Sequence, residues 1–134
     1  MGMYTQLFLD LTLKKDIPTE IIDVLNGMVN GDCDYWKDKQ RLNWCFNSSS
    51  YYFNNNHYSH LIFDKIGEDY RLLVLCDFKN YDNEIETFID WLLPFIEDDY
   101  IGDDFIGYHR YEEDREPTLL YLSELKKELR LDEL

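Results

Sequence analysis

Residues 60–78 read HLIFDKIGEDYRLLVLCDF, and this stretch decides the fold. Two runs rich in apolar residues, 60–66 and 70–78, flank Gly67-Glu68-Asp69. Runs of that composition around a short Gly- and Asp-containing turn predict the two strands of an antiparallel hairpin. Two strands cannot bury an apolar side by themselves. The rest of the chain must supply more strands and something to cover them.

Upstream, residues 5–13, TQLFLDLTL, put Leu7, Leu9, Leu11 and Leu13 on one side and Gln6, Asp10 and Thr12 on the other, with Phe8 the apolar exception. A period of two predicts a half-buried strand. Asp16-Ile17-Pro18 then opens a helix, with Pro where no amide partner is lost and Glu20 near the positive end of the dipole. Ile21, Ile22, Leu25, Met28 and Val29 fall on one helical face, and Gly31 ends it. Residues 30–41 show no period and predict a long loop, a place where function commonly sits. The aromatic segments LNWCF (42–46) and SYYF (50–53) predict one bent strand or two short ones, and Asn54-Asn55-Asn56 a turn.

Downstream, a second helix is expected from about Asn80–Asp82, with Ile85, Phe88, Ile89, Leu92 and Ile96 as its apolar side and Pro94 as its kink or end. FIGYHRY (105–111) and PTLLYL (117–122) predict two strands around the acidic turn Glu112-Glu113-Asp114-Arg115-Glu116. Ser123 is placed to cap a short terminal helix with Leu125 and Leu129 on one side. The expected class is α+β: an antiparallel-rich sheet with two main helices on one face, the two-layer solution for such an order. A ferredoxin-like core with extra strands is the specific expectation. Residues 1–134 are read as one globular domain, with 123–134 a short C-terminal helical extension.

Three stretches together resemble a family of small uncharacterised bacterial and prophage-borne proteins. They are LKKD (13–16) with IIDVL (21–25), KNYDNEI (79–85) with Trp91 and Pro94, and GYHRYEEDREPTLLY (107–121). The likeness spans roughly residues 4–122. It implies a bacterial or phage origin, and no activity, cofactor or site residue comes with it.

Among the 134 residues the aromatic fraction of 16% is too high for a chain that stays disordered. No apolar run approaches the length of a membrane-spanning helix, and the N-terminus lacks a basic stretch followed by an apolar one. A soluble, cytoplasmic protein is therefore expected. Cys33, Cys45 and Cys76 show no C-x-x-C spacing and read as reduced thiols. His57 and His60 are three apart, which on a strand sets them on opposite faces, so a metal site with Cys45 is not expected. Glu97-Asp98-Asp99 and Asp103-Asp104 around Gly102 do not follow a calcium-loop spacing. No catalytic residue, metal or cofactor is assigned.

Charge carries the functional reading. Against 28 acidic residues stand 13 Lys and Arg, for a net charge of -15. Direct binding to nucleic acid or an anionic membrane is disfavoured. Residues 82–116 alone hold 13 acids and 2 bases. If Asp82, Glu86 and Asp90 on the second helix, Asp98, Asp99, Asp103 and Asp104 after it, and Glu112, Glu113, Asp114 and Glu116 in the turn share one face, that face steers a basic partner. Tyr35, Trp36, Trp44, Phe46, Tyr51, Tyr52, Phe53 and Tyr58 crowd together in sequence. They are placed too alternately to share one core, and Tyr51, Tyr52 and Tyr58 are expected on an interface, with a partner or a second copy in a homodimer. The expected function is a non-enzymatic acidic module that blocks a basic, nucleic-acid-handling protein, as a phage anti-defence inhibitor or a bacterial immunity protein would. The alternatives are a small ligand-binding or enzymatic domain with a pocket near the 30–41 loop, and a homo-oligomeric structural domain.

Overall fold

β1 (Thr5–Thr12) alternates buried and half-buried along its whole length, as the leucine spacing predicts. A strand with one apolar side settles in the middle of a sheet only if both neighbours can approach it. Here β3 (Asp69–Phe78) pairs along one edge and β4 (Phe105–Tyr111) along the other, both antiparallel. The approach of β4 depends on Gly107, which lies opposite Leu9 at φ 152°. A Cβ there would come within 1.9 Å of the Phe8 carbonyl oxygen. The computed structural model describes residues 3–53, 57–98 and 104–132.

β2 (Tyr58–Asp64) completes the hairpin with β3 across a turn at residues 65–68, with Tyr58 opposite Leu75 and Asp64 opposite Asp69. β5 (Thr118–Tyr121) pairs antiparallel with β4 beyond the acidic turn, with a register irregularity between Phe105 and Gly107. The sheet order is β2-β3-β1-β4-β5. α1 (Thr19–Asn30), α2 (Glu84–Leu92) and α3 (Leu122–Asp132) complete the α+β architecture.

One core joins the layers. Leu7, Leu9 and Leu11 of β1 and Leu72, Val74 and Cys76 of β3 meet Ile22, Leu25 and Met28 of α1 and Ile85, Phe88 and Leu92 of α2. Leu13 continues the alternation one residue beyond β1, bridging to Ile96. The helices therefore sit on one face, as expected. α1 ends at Gly31 in the left-handed conformation, with its amide bonded to the Gly27 carbonyl. α2 starts slightly later than its acidic lead-in predicts. Asn83 takes φ 56°, the Asn80 side-chain oxygen accepts the Ile85 amide at 3.0 Å, and the Glu84 carboxylate accepts the Asp82 amide. Pro94 ends α2 in a single 3₁₀ turn, Leu93–Phe95.

The aromatic segments are the main correction. Residues 42–46 are not a strand: the chain forms 3₁₀ turns at Gln40–Asn43 and Cys45–Asn47. Leu42, Cys45 and Phe46 are buried while Trp44 is exposed, so the spacing is helical and Phe46 meets Phe88 edge to face. Residues 51–53 form a turn, anchored where the Asp77 amide donates to the Ser48 carbonyl and the Ser50 amide donates to the Asp77 carboxylate. The Asn54–Asn56 turn lies outside the described residues. Ser123 is not the residue that caps α3. Its amide and hydroxyl both donate to the Asp104 carboxylate at 2.7 Å, so Asp104 fills that role. Leu122 is buried and Leu125 packs against the core, which makes α3 more than an extension.

Gly107→Ala forces the backbone of β4 away from Phe8 and is expected to destabilise the protein at least as much as Phe88→Ala, a loss of about 3–5 kcal/mol. Glu116→Gln, in the exposed turn, should change stability by less than about 0.5 kcal/mol. Urea unfolding of the three variants checks this ranking.

Candidate functional site: an acid-walled groove

On α2, Glu86 and Asp90 are one helical turn apart and exposed. On α3, Glu124 and Glu128 repeat that spacing. Like charges at i, i+4 cost a helix a few tenths of a kcal/mol per pair, so neither pair serves its own helix. Because β5 passes directly into α3, the two helices flank the β4–β5 end of the sheet. Between them lies a groove of about 370 Å³, floored by Ile85, Ile89, Leu120 and Leu125, with His109 beside the floor. The four carboxylates stand along its two walls. An apolar floor between acidic walls can take a segment that is apolar on one side and cationic at its edges.

Glu86 and Asp90 were expected in a binding face; Glu124, Glu128 and the apolar floor were not. The i, i+4 acid pairs on α2 and α3 are legible in the sequence. That the two helices adjoin is not, since it follows from where β5 lies in the sheet.

The remaining predicted acids divide between the two ends of the sheet. Asp82 lies with the 112–116 turn at the end where β1 begins: the Met3 amide donates to the Tyr81 hydroxyl and the Tyr4 amide to the Glu112 carboxylate. The turn is not simply solvated, because Asp114 accepts the Tyr111 amide at 3.2 Å and the Arg110 guanidinium donates to the Asp114 carbonyl. Glu113, Asp114, Arg115 and Glu116 are exposed, and Glu112 is half-buried. Asp82 is ion-paired with Lys39 at 3.2 Å. Asp98 and Asp104 lie at the opposite end, beside the start of β4. Asp98 pairs with Lys126, whose hydrogen bond and charge hold the Asp98 carboxyl below the usual carboxylate range. Asp104 caps α3. Asp99 and Asp103 lie outside the described residues. The expected single acidic face is thus two ends and a groove.

The aromatic residues meet the acidic turn. The Tyr52 hydroxyl donates to the Glu112 carbonyl, and Tyr51 is fully exposed next to it in sequence. Tyr58 lies on β2, exposed on the face of the sheet away from the helices, with its ring against His60. Cations already use rings at this end: the Arg41 guanidinium sits 5.4 Å from the Tyr81 ring centre and the Lys79 ammonium 5.8 Å from that of Tyr4.

Groups read as candidate chemistry are separated. The His57 ring bonds to the Ser49 hydroxyl, His60 stacks on Tyr58, and Cys45 lies buried in the core. Among the described residues no cluster of three or more His, Cys, Asp or Glu side chains could hold a metal ion. Burial pushes the Cys45 and Cys76 thiols well above the usual cysteine value, which removes the thiolate a nucleophile needs. A depression of about 450 Å³ does lie by the 37–44 segment, but Lys39 and Arg41 there face Asp82 and Glu84. No described helix is long and apolar enough to cross a membrane. In comparisons with known proteins, no family model, no curated protein and no solved structure matches the chain.

Two titrations check this description. Partial desolvation, reinforced by Glu113 and Glu112, raises Tyr111 above the ordinary tyrosine value. The stability this shift contributes is present below pH 10.0, the ordinary value, and lost as pH rises through the folded one. Absorbance titration should show one late-ionising tyrosine that moves to lower pH in Glu113→Gln; an unmoved titration would contradict the placement of Glu113. In thiol labelling of the native protein, Cys33 should react while Cys45 and Cys76 stay protected until unfolding. Rapid labelling of all three thiols would contradict the core.

Proposed function

We propose that the protein is a non-enzymatic, acidic binding module that occupies a basic surface of another protein. The observation that carries this reading is the groove between α2 and α3, where two like-charged pairs, Glu86 with Asp90 and Glu124 with Glu128, face an apolar floor. A cationic, amphipathic segment pairs with the exposed Glu86, Glu124 and Glu128 and packs on the accessible apolar lining, Leu119 and Leu125. The net charge of -15 draws such a partner from a distance and raises its association rate. Proteins that handle nucleic acid carry basic surfaces of this kind. The module would then work in the cytoplasm as a blocker of one, in the manner of a phage anti-defence inhibitor or a bacterial immunity protein.

The fold-level part of the proposal is a ferredoxin-like core made of β1–β4, α1 and α2, with β5 and α3 added. The order β2-β3-β1-β4, antiparallel at every step, supports it: β1 runs parallel to β2 with β3 between them, and β3 parallel to β4 with β1 between them. Fold alone does not select a function.

The test is affinity capture from cell extract at about 50 mM and 300 mM salt, followed by association kinetics of the recovered partner with wild type and with Glu86→Gln/Glu124→Gln/Glu128→Gln. The triple variant should associate several-fold more slowly at low salt, with the gap closing at high salt as the Debye length falls from roughly 14 Å to under 6 Å. Association rates that are unchanged at both salts would remove the reading.

A further inference from the structure

Among the described residues three acidic side chains are buried: Asp77, Glu84 and Asp69. The fold supplies the first two with amides, since the Ser50 amide donates to Asp77 and the Asp82 amide to Glu84. Asp69 is 8% exposed, and no described residue gives its carboxylate a hydrogen bond or an ion pair. A desolvated, unpaired carboxylate costs stability. The register raises that cost, because Asp69 lies directly opposite Asp64 at the end of the β2–β3 hairpin, and like charges so placed repel.

The two carboxylates converge. Asp64 Oδ2 and Asp69 Oδ1 each lie 3.0 Å from one point, the position a Cβ on Gly67 would take. The other Asp64 oxygen, Oδ1, accepts the Ile66 amide at 3.0 Å, which holds that side chain in place. Arg71 is engaged elsewhere: its Nε and Nη2 each donate to Asp10 at 2.9 Å. Asp64, Asp69 and Arg71 line one depression of about 570 Å³, which reaches across β1 to Phe105 at the start of β4, with Phe8 and Ile96 in its apolar lining. Four neighbouring strands, β2, β3, β1 and β4, at ~4.8 Å spacing make it on the order of 14 Å long. Its size is that of a pocket for an organic ligand rather than a single ion.

Chemistry narrows the occupant. An anion is repelled by both carboxylates and by the net charge of -15. A wholly apolar ligand would leave the carboxylates buried and unpaired. A hard metal ion needs about six oxygen ligands or more, and among the described residues no three His, Cys, Asp or Glu side chains are grouped to hold one. A cation with its own N–H donors and an apolar stem meets every condition. Its head makes charge-assisted hydrogen bonds to the open carboxylate oxygens, and aromatic rings suit the stem and the charge alike.

We propose that Asp64 and Asp69 form the head-group site of a pocket for an alkylammonium or alkylguanidinium ligand, whose stem runs along the Phe8 and Phe105 wall. This pocket shares no lining residue with the α2–α3 groove and does not rest on that reading. Such a head arrives either on a free small molecule or as a Lys or Arg side chain of a partner.

Amide chemical-shift titration with 1-butylguanidinium chloride is the test. Wild type should show saturable shifts at Ile66, Gly67 and Asp69, with a dissociation constant below about 1 mM. Asp69→Asn should weaken binding at least tenfold while holding or raising the melting temperature, because it removes an unpaired charge. Gly67→Ala keeps every charge but sets a methyl 3.0 Å from both oxygens, and should weaken binding several-fold. Glu20→Gln, which removes an exposed acid from the first turn of α1, should leave binding unchanged. A capped Gly-Arg-Gly tripeptide assigns the source: tighter binding than butylguanidinium identifies a partner's side chain, weaker binding a free small molecule. Shifts that never saturate, or that Glu20→Gln reduces as much as Asp69→Asn does, mean diffuse attraction to an acidic surface and overturn the proposal. So does binding that Asp69→Asn and Gly67→Ala both leave intact. Magnesium or calcium chloride saturating these amides where butylguanidinium does not would overturn it in favour of a metal.

Discussion

The structure depends on the contact between β1 and β4 at Gly107. β1 is the middle strand, and its leucines reach the helices only because neighbours hold it on both edges. On the β3 side pairing is continuous from Thr5 to Thr12; on the β4 side it passes through a point where any side chain would strike the Phe8 carbonyl. With β4 seated, β5 has an edge to join, α3 starts from β5 against Asp104, and the groove between α2 and α3 closes. The acidic walls are a long-range consequence of one missing Cβ.

Acidic groups stand on both sides of the sheet. Glu86, Asp90, Glu124 and Glu128 lie on the helix side, while on the open face Arg71 pairs with Asp10 and Asp64 lies opposite Asp69. The groove joins its four carboxylates to apolar lining residues of α2, β5 and α3.

Much of the fold is legible from periodicity. The alternation of Leu7, Leu9 and Leu11, the helical spacing of Ile22, Leu25 and Met28, and the two runs around Gly67 each yield an element that the structure contains. The misreading at 42–46 is instructive, because aromatic composition suggested a strand while Leu42, Cys45 and Phe46 already showed helical spacing. The site is less legible. Each acid pair can be read from its own helix, but Asp104 and Glu112 look like free carboxylates in the sequence and turn out to hold backbone amides. Whether an acid on a turn faces solvent or satisfies the chain is decided by amides far away in sequence.

The most direct measurement is methyl chemical-shift mapping while a lysine-leucine amphipathic helical peptide is titrated into the protein at low salt. Binding in the groove predicts shifts at Ile85, Ile89, Leu120 and Leu125, with Ile62 and Leu73 unmoved. Shifts centred on the sheet-face methyls, or none at the groove at saturating peptide, would contradict it.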